Sequence, residues 1–343
     1  MFAAVGTETC GHVDGGAGAF GLLTPPLAPT AHDVVLEDGT ARLLHFRGSV
    51  PARPDRAPVL LVPSMINRWY VLDLRPGYSV VEALVAAGFD TWCLDWGAPN
   101  AEDRYLDWDA VVARLSRMAR RTRRETGHDR LAMLGYCMGG TLTGIHAALE
   151  PDTVQALINL LGPFDFTRAG ELGRMTDARW FDPEAIASAG NMTAEQMQQG
   201  FVALRPTATL AKWVGFADRA HDPRAVQAFA ALEAWASDNV SFPAAAYVTY
   251  IRDLYQENRL VRGEHAVRGK RVNLAAITCP VLTIATASDT ICPLGAAKGL
   301  NEACGATDSE VFVTQGGHVG AVVGSNGPRA LYPKLTSWLS ART

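Results

Sequence analysis

Leu131-Ala132-Met133-Leu134-Gly135-Tyr136-Cys137-Met138-Gly139-Gly140 is the stretch that decides how this chain folds. An apolar run of strand type ends in Gly-x-Cys-x-Gly, and residues of helical character follow over 141–149. A turn of this kind is a nucleophile elbow: the central residue sits under backbone strain, and the flanking glycines let neighbouring backbones approach closely. Serine is usual at the centre; here it is Cys137. A thiolate is the stronger nucleophile, and its acyl adduct is a thioester that stays activated for onward transfer. A cysteine in an apolar stretch is ordinarily a small core residue, so the argument for catalysis rests on the glycines and the strand around it.

Working outward, 58–62, 91–95 and 154–161 are short apolar runs of buried-strand type, separated by helical patterns over 79–87 and 107–126. Residues 33–46 are β-prone on both sides of Asp38-Gly39, a two-residue hairpin signal. Strands resume at 280–285 and 310–313, and a closing helix spans 328–339. Strands alternating with helices predict a mostly parallel, doubly wound α/β sheet. Between them, 164–268 is helical without a convincing buried strand, and Trp180, Trp213 and Trp235 stand among its apolar positions as ordinary core. An insertion of that size is read as a helical cap over the carboxyl ends of the strands. The expected organisation is a flexible arm over 1–31, a core over 32–163 and 269–343, and the cap over 164–268. On the 107–126 helix, Arg114, Arg117, Arg120, Arg121, Arg123 and Arg124 are expected on a solvated surface whose basic end complements the helix dipole.

The 343 residues are 48% hydrophobic and 19% charged, the balance of an ordinary globular protein, and the formal net charge of −4 offers no general attraction to nucleic acid or anionic membrane. The six cysteines are scattered without a C-x-x-C pair, so neither a zinc site nor a disulfide framework is expected, and a cytoplasmic location fits. No metal is expected. The N-terminal residues lack the features of a secretory signal, and no apolar run approaches the roughly 18 residues of a membrane span.

Two further residues complete the elbow. Asp289 lies just beyond the strand at 280–285, and His318 follows the last strand within Gly316-Gly317-His318-Val319-Gly320. Nucleophile, acid, histidine is the chain order of the α/β-hydrolase fold. His318 would take the proton of Cys137 and Asp289 would hold the imidazole. The oxyanion of a tetrahedral intermediate needs two donors, expected at the backbone N–H groups of Met138 and Ile66. Cys93, Cys279, Cys292 and Cys304 are expected as packing residues, and His128 and His146 as structural ones.

These residues resemble the poly(3-hydroxyalkanoate) synthases. The resemblance is carried by Ile66-Asn67-Arg68 with Leu72-Asp73-Leu74, Asp95-Trp96-Gly97-Ala98-Pro99, Gly135-Tyr136-Cys137-Met138-Gly139-Gly140, Tyr255-Gln256-Glu257-Asn258-Arg259-Leu260, Asp289-Thr290-Ile291-Cys292-Pro293 and the glycine-flanked His318. The short N-terminus looks most like the catalytic subunit of the two-subunit class. The resemblance implies polymerisation of 3-hydroxyacyl-CoA, with 3-hydroxybutyryl-CoA foremost, into polyhydroxyalkanoate with release of CoA. Cys137 would be the acylated residue, His318 the base, and Asp289 its partner or an activator of the 3-hydroxyl. Coenzyme A enters as part of the substrate, no other cofactor is implied, and no residue is assigned to hold it. It further implies an enzyme at the surface of a polymer inclusion, working as a homodimer or with a second synthase subunit. The alternatives are a cysteine-dependent hydrolase (thioesterase, dienelactone-hydrolase-like or polyester depolymerase) and an inactive polymer-binding scaffold.

Overall fold

The computed structural model describes residues 25–48, 50–204 and 208–343. Its centre is an eight-stranded sheet: β1 (His32–Asp38), β2 (Ala41–Phe46), β3 (Val59–Val62), β4 (Thr91–Asp95), β5 (Leu131–Tyr136), β6 (Val154–Leu160), β7 (Val281–Thr286) and β8 (Ser309–Thr314). The spatial order is β1-β2-β4-β3-β5-β6-β7-β8. The hairpin β1-β2 and the pair β2-β4 are antiparallel, and every other pair is parallel. This is the mostly parallel, doubly wound α/β sheet that the alternating pattern predicts.

Every residue of β3, β4 and β5 is buried, because helices cover both faces of the sheet. On one face Leu60, Val62, Leu94 and Met133 pack with Val111, Leu115 and Met118 of helix α2 (Trp108–Thr126) and with Leu142 and Ile145 of α3 (Met138–Leu149). On the other, Leu61, Ala132 and Leu134 pack with Val80 and Leu84 of helix α1 (Val80–Ala86) and with Leu335 and Trp338 of the closing helix Tyr332–Ser340. Alternate residues of each strand thus serve opposite faces, which is the two-residue period of the pleat. Helix boundaries follow local chemistry: Ser79 and Asp107 accept N–H bonds from Glu82 and Ala110 as N-caps, and Gly127 takes the left-handed conformation that ends α2.

Between residues 170 and 256 the described elements include α4 (Pro223–Ser237), the helix Ala244–Thr249 and a π-helical turn at Tyr250–Gln256. Their tryptophans divide: Trp235 is 6% exposed and packs in the core, whereas Trp180 and Trp213 are 61% and 43% exposed. The cap-core expectation therefore holds for Trp235 alone. Helical spacing reports which residues share a face, and a thin cap has too little interior for every aromatic on it.

Arg114 is a second correction. Instead of lying on the solvated face it is buried, with its Nε 3.8 Å from Asp38, whose carboxylate also accepts from Arg117 Nε at 2.7 Å. The hairpin turn lies directly over α2: a Cβ on Gly39 would fall 2.7 Å from the Arg114 guanidinium. Burial therefore lowers the Arg114 pKa, with Asp38 opposing the shift.

Of the arm expected over 1–31, residues up to 24, and with them Cys10, lie outside the described residues. Within the described part, Thr30 donates its N–H and its hydroxyl to the two carboxylate oxygens of Asp73, both at 2.9 Å, and the Ser79 hydroxyl donates to Asp73 at 2.5 Å. Asp73 is fully buried, and these donors supply what burial takes away. Among the described residues no helix is long and apolar enough to cross a membrane.

Candidate active site

Cys137 immediately follows β5 with φ 57° and ψ −127°, a conformation that non-glycine residues rarely adopt. The strain is held from both sides: the Cys137 N–H donates to Leu160 O at 2.9 Å, and the Cys137 carbonyl accepts from the Gly140 N–H at 2.8 Å. The glycines are required by contact. A Cβ on Gly135 would fall 2.3 Å from the Gly139 carbonyl oxygen, and one on Gly139 would fall 1.9 Å from the Val62 carbonyl oxygen. With no side chain at either position, α3 starts tight against the end of β3, and the helix begins at Met138 rather than at 141.

The histidine and the acid arrive from the carboxyl ends of β8 and β7. His318 Nδ1 donates to Asp289 Oδ2 at 2.7 Å, while Asp289 Oδ1 accepts from the N–H groups of Ile291 and Cys292 at 2.8 and 2.9 Å. The Asp289 side chain is completely buried and that of His318 is 7% exposed, so the pair interacts in a low dielectric. His318 Nε2 is buried and has no hydrogen-bond partner among the described residues. Burial works to lower the His318 pKa, but the charge of a Cys137 thiolate and the bond to Asp289 outweigh it and push the value up to about 10. The protonated ring is therefore the favoured form of His318 in this setting.

Burial keeps Cys93, Cys279 and Cys292 as thiols. Burial foremost, then the charges of Asp289 and Cys137, raise the Cys292 thiol well above its ordinary pKa, and burial does the same to Cys93. Burial raises Cys279 to about 11. His146 also behaves as a structural residue: its ring is buried against the Ser116 hydroxyl at 3.0 Å, and desolvation lowers its pKa to about 4.

The two expected oxyanion donors lie in adjoining segments. The Met138 N–H opens α3 and so has no partner inside the helix. Ile66 lies in the loop after β3, packed in the same apolar cluster as Met65 and Met138, and its N–H donates to no acceptor among the described residues.

Tyr250 and Asn159 are not singled out by sequence reasoning, and Tyr255 enters it only as part of the segment 255–260. Tyr250 and Tyr255, from the π-helical turn, are buried side by side with ring centroids 5.5 Å apart. Desolvation first, and then nearby charges that include Cys137, raise both phenols, so they remain neutral. The spacing of an α-helix does not place these two residues together; the wider π turn does. Asn159 is the other: its Oδ1 accepts from the Gly162 N–H at 3.0 Å and its Nδ2 donates to the Gly162 carbonyl at 2.9 Å, fixing the turn against which Gly140 packs. Asn258, from the quoted segment 255–260, accepts from the Phe166 N–H at 2.8 Å and donates to Asp165 at 3.1 Å, joining that segment to the start of the region after β6.

A family profile described as alpha/beta hydrolase fold matches residues 57–324, and one described as the N-terminus of poly-beta-hydroxybutyrate polymerase (PhaC) matches residues 21–84. The poly(3-hydroxyalkanoate) polymerase subunit PhaC of Allochromatium vinosum is 30% identical over 297 residues, covering 86% of this chain and 83% of that protein. The chain belongs to the poly(3-hydroxyalkanoate) polymerase family. The PhaC subunits of Haloferax mediterranei and Haloarcula marismortui, also of this family, are 34% and 31% identical, each over 92% of this chain. The polymerase-family chain spans 64% of the length of the Haloferax protein and 68% of that of the Haloarcula one. Among solved structures, a hydrolase from Pseudomonas aeruginosa PA01 superposes with a TM-score of 0.55 at 16% identity, over 90% of this chain and 98% of that one. A membrane phospholipase A superposes with a TM-score of 0.53 at 16% identity, over 91% and 87%. At such identities these two bear on the fold alone.

Proposed function

We propose that this chain polymerises 3-hydroxyacyl groups delivered as coenzyme A thioesters, 3-hydroxybutyryl-CoA foremost, with Cys137 as the residue that carries the acyl group. The observation that carries the reading is the strained Cys137 elbow backed by the buried His318–Asp289 pair, in a chain of this family. His318 takes the thiol proton, and the thiolate attacks the thioester carbonyl. The N–H groups of Met138 and Ile66 receive the oxyanion as it forms. The intermediate collapses by breaking the bond to the CoA sulfur, which leaves with the proton held on His318. His318, neutral again, then draws the proton from a 3-hydroxyl, and that oxygen attacks the Cys137 thioester to form the ester and free the sulfur.

Exchange of one thioester for another costs little free energy, so a sulfur nucleophile keeps the acyl group reactive towards an alcohol. An oxygen ester would lose that advantage. Asp289 holds the imidazole tautomer and stabilises its charged form throughout. The reading includes assembly with a second synthase subunit or a second copy, and residence at the surface of the polymer as it grows. The naming of the relatives as subunits supports such an assembly.

The experiment is incubation of the protein, alone and with a candidate second subunit, with 3-hydroxybutyryl-CoA. CoA release accompanied by polyester supports the proposal. CoA release with free acid as the sole acyl product overturns it in favour of a hydrolase.

A further inference from the structure

The loop that carries Ile66 is pinned at two ends by two different parts of the molecule. At its start, the Pro63 carbonyl accepts from Trp96 Nε1 at 3.0 Å, a contact within the sheet domain. At its far end the partners all come from the C-terminal end of α4 in the cap. Asn67 Nδ2 donates to Asn239 Oδ1 at 2.6 Å and Arg68 Nε donates to Asp238 Oδ1 at 2.9 Å. The Tyr70 hydroxyl donates to Asp238 Oδ2 at 2.8 Å, and Trp235 Nε1 donates to the Arg68 carbonyl at 3.0 Å. Tyr70 and Trp235 are buried, while the Arg68 and Asp238 side chains are 29% and 30% exposed, so the clasp is closed at its aromatic side and partly open at its ion pair. Both oxygens of one carboxylate are spent on it, an arrangement that fixes direction as well as distance. Between the pins lie the buried Ser64 hydroxyl and the Ile66 N–H, neither with a hydrogen-bond partner among the described residues.

We propose that Asp238 is a positioning residue: through Arg68 and Tyr70 it sets the place of the Ile66 N–H, so that the oxyanion site is complete only while α4 is seated on the loop. The inference rests on the acyl-transfer reading above. It makes α4 part of the donor geometry: Pro63 is held by Trp96, Trp69 packs on His32 and Phe46 of the sheet, and the Asn67-Arg68 stretch between them takes its side-chain hydrogen bonds from α4.

The test compares the native protein with Asp238→Ala, Asp238→Asn and Trp235→Phe. Three readouts are taken: single-turnover acylation by 3-hydroxybutyryl-CoA, alkylation of Cys137 by iodoacetamide, and the thermal midpoint. In Asp238→Ala acylation should slow by about 10- to 100-fold, the scale of a displaced oxyanion donor. Alkylation, which forms no oxyanion, should keep its native rate. Asp238→Asn retains an acceptor for Arg68 and should recover most of the loss; Trp235→Phe should fall between. If Asp238→Ala does not fold, Tyr70→Phe and Trp235→Phe carry the same comparison. Native acylation rates in Asp238→Ala, or acylation and alkylation falling together, overturn the proposal. Absence of acylation in the native protein instead counts against the polymerase reading. The clasp is then measured with p-nitrophenyl butyrate as acyl donor, and equal rates in native and Asp238→Ala overturn it there.

Discussion

Replacing Asp289 by asparagine removes one charge and reverses one hydrogen bond while leaving the turn intact. The amide carbonyl can still accept from Ile291 and Cys292, as Oδ1 does at 2.8 and 2.9 Å. Where Oδ2 stood 2.7 Å from His318 Nδ1, an amide nitrogen would now confront the ring N–H, donor against donor. A hydrogen bond to a charged group contributes roughly 1.5–3 kcal/mol, and about 1.4 kcal/mol corresponds to one pKa unit, so the His318 pKa should fall by about one to two units. In the native protein it stands at about 10, above its ordinary 6.5. A histidine raised in this way stabilises the folded state fully below its ordinary pKa, and that contribution is lost as the pH climbs through the folded value. In Asp289→Asn the contribution is smaller and vanishes at lower pH. Titration of isotope-labelled histidine by NMR reads the midpoint directly, and urea unfolding along the alkaline limb reads the linked stability. Coincident midpoints in native protein and variant would refute the claim that Asp289 holds the imidazolium.

His318→Ala should abolish nearly all turnover, whereas Asp289→Ala should retain more because it acts through the ring; equal and negligible effects of the two would dismantle the triad. Gly139→Ala drives a methyl to 1.9 Å from the Val62 carbonyl oxygen. The overlap should outweigh the ~1 kcal/mol that alanine gains in a helix and leave a net loss of about 2 kcal/mol in urea unfolding, where an unchanged midpoint would contradict the close approach. His146, buried and neutral with its pKa lowered to about 4 from 6.5, binds its proton more readily in the unfolded chain. Its share of stability is therefore present above 6.5 and lost as the pH falls towards 4, and His146→Gln should flatten that acid limb; a variant as acid-sensitive as the native protein would place the loss elsewhere.

Much of this was legible because the parallel sheet writes itself in the chain. Strands buried on both faces read as continuous apolar runs, and 91–95 and 131–135 were found almost to the residue in β4 and β5. Cys137, Asp289 and His318 each sit just past the carboxyl end of their strands, as the chain order implies, and Asp289 and His318 meet there. What sequence spacing could not supply is information carried by long-range contact. Arg114 looked like its neighbours on α2 until the β1-β2 hairpin closed over it. Trp180 and Trp235 shared a pattern but not a degree of burial. Tyr250 and Tyr255 meet through a π-helical turn that an α-helical period does not describe. The Asp238 clasp joins residues nearly half the chain apart, and neither end carries a motif that announces the other. Asp73 shows the reverse case: part of a segment that marked the family, it is buried and spends its carboxylate on Thr30 and Ser79.

The central claim is that Cys137 carries the growing acyl chain. Rapid quenching of the protein with 3-hydroxybutyryl-CoA, followed by peptide mass spectrometry, tests it most directly. The account predicts hydroxybutyryl adducts of one and more units on the Cys137 peptide, labile to hydroxylamine, and none in Cys137→Ala. CoA release from the native protein with no adduct on that peptide would contradict it.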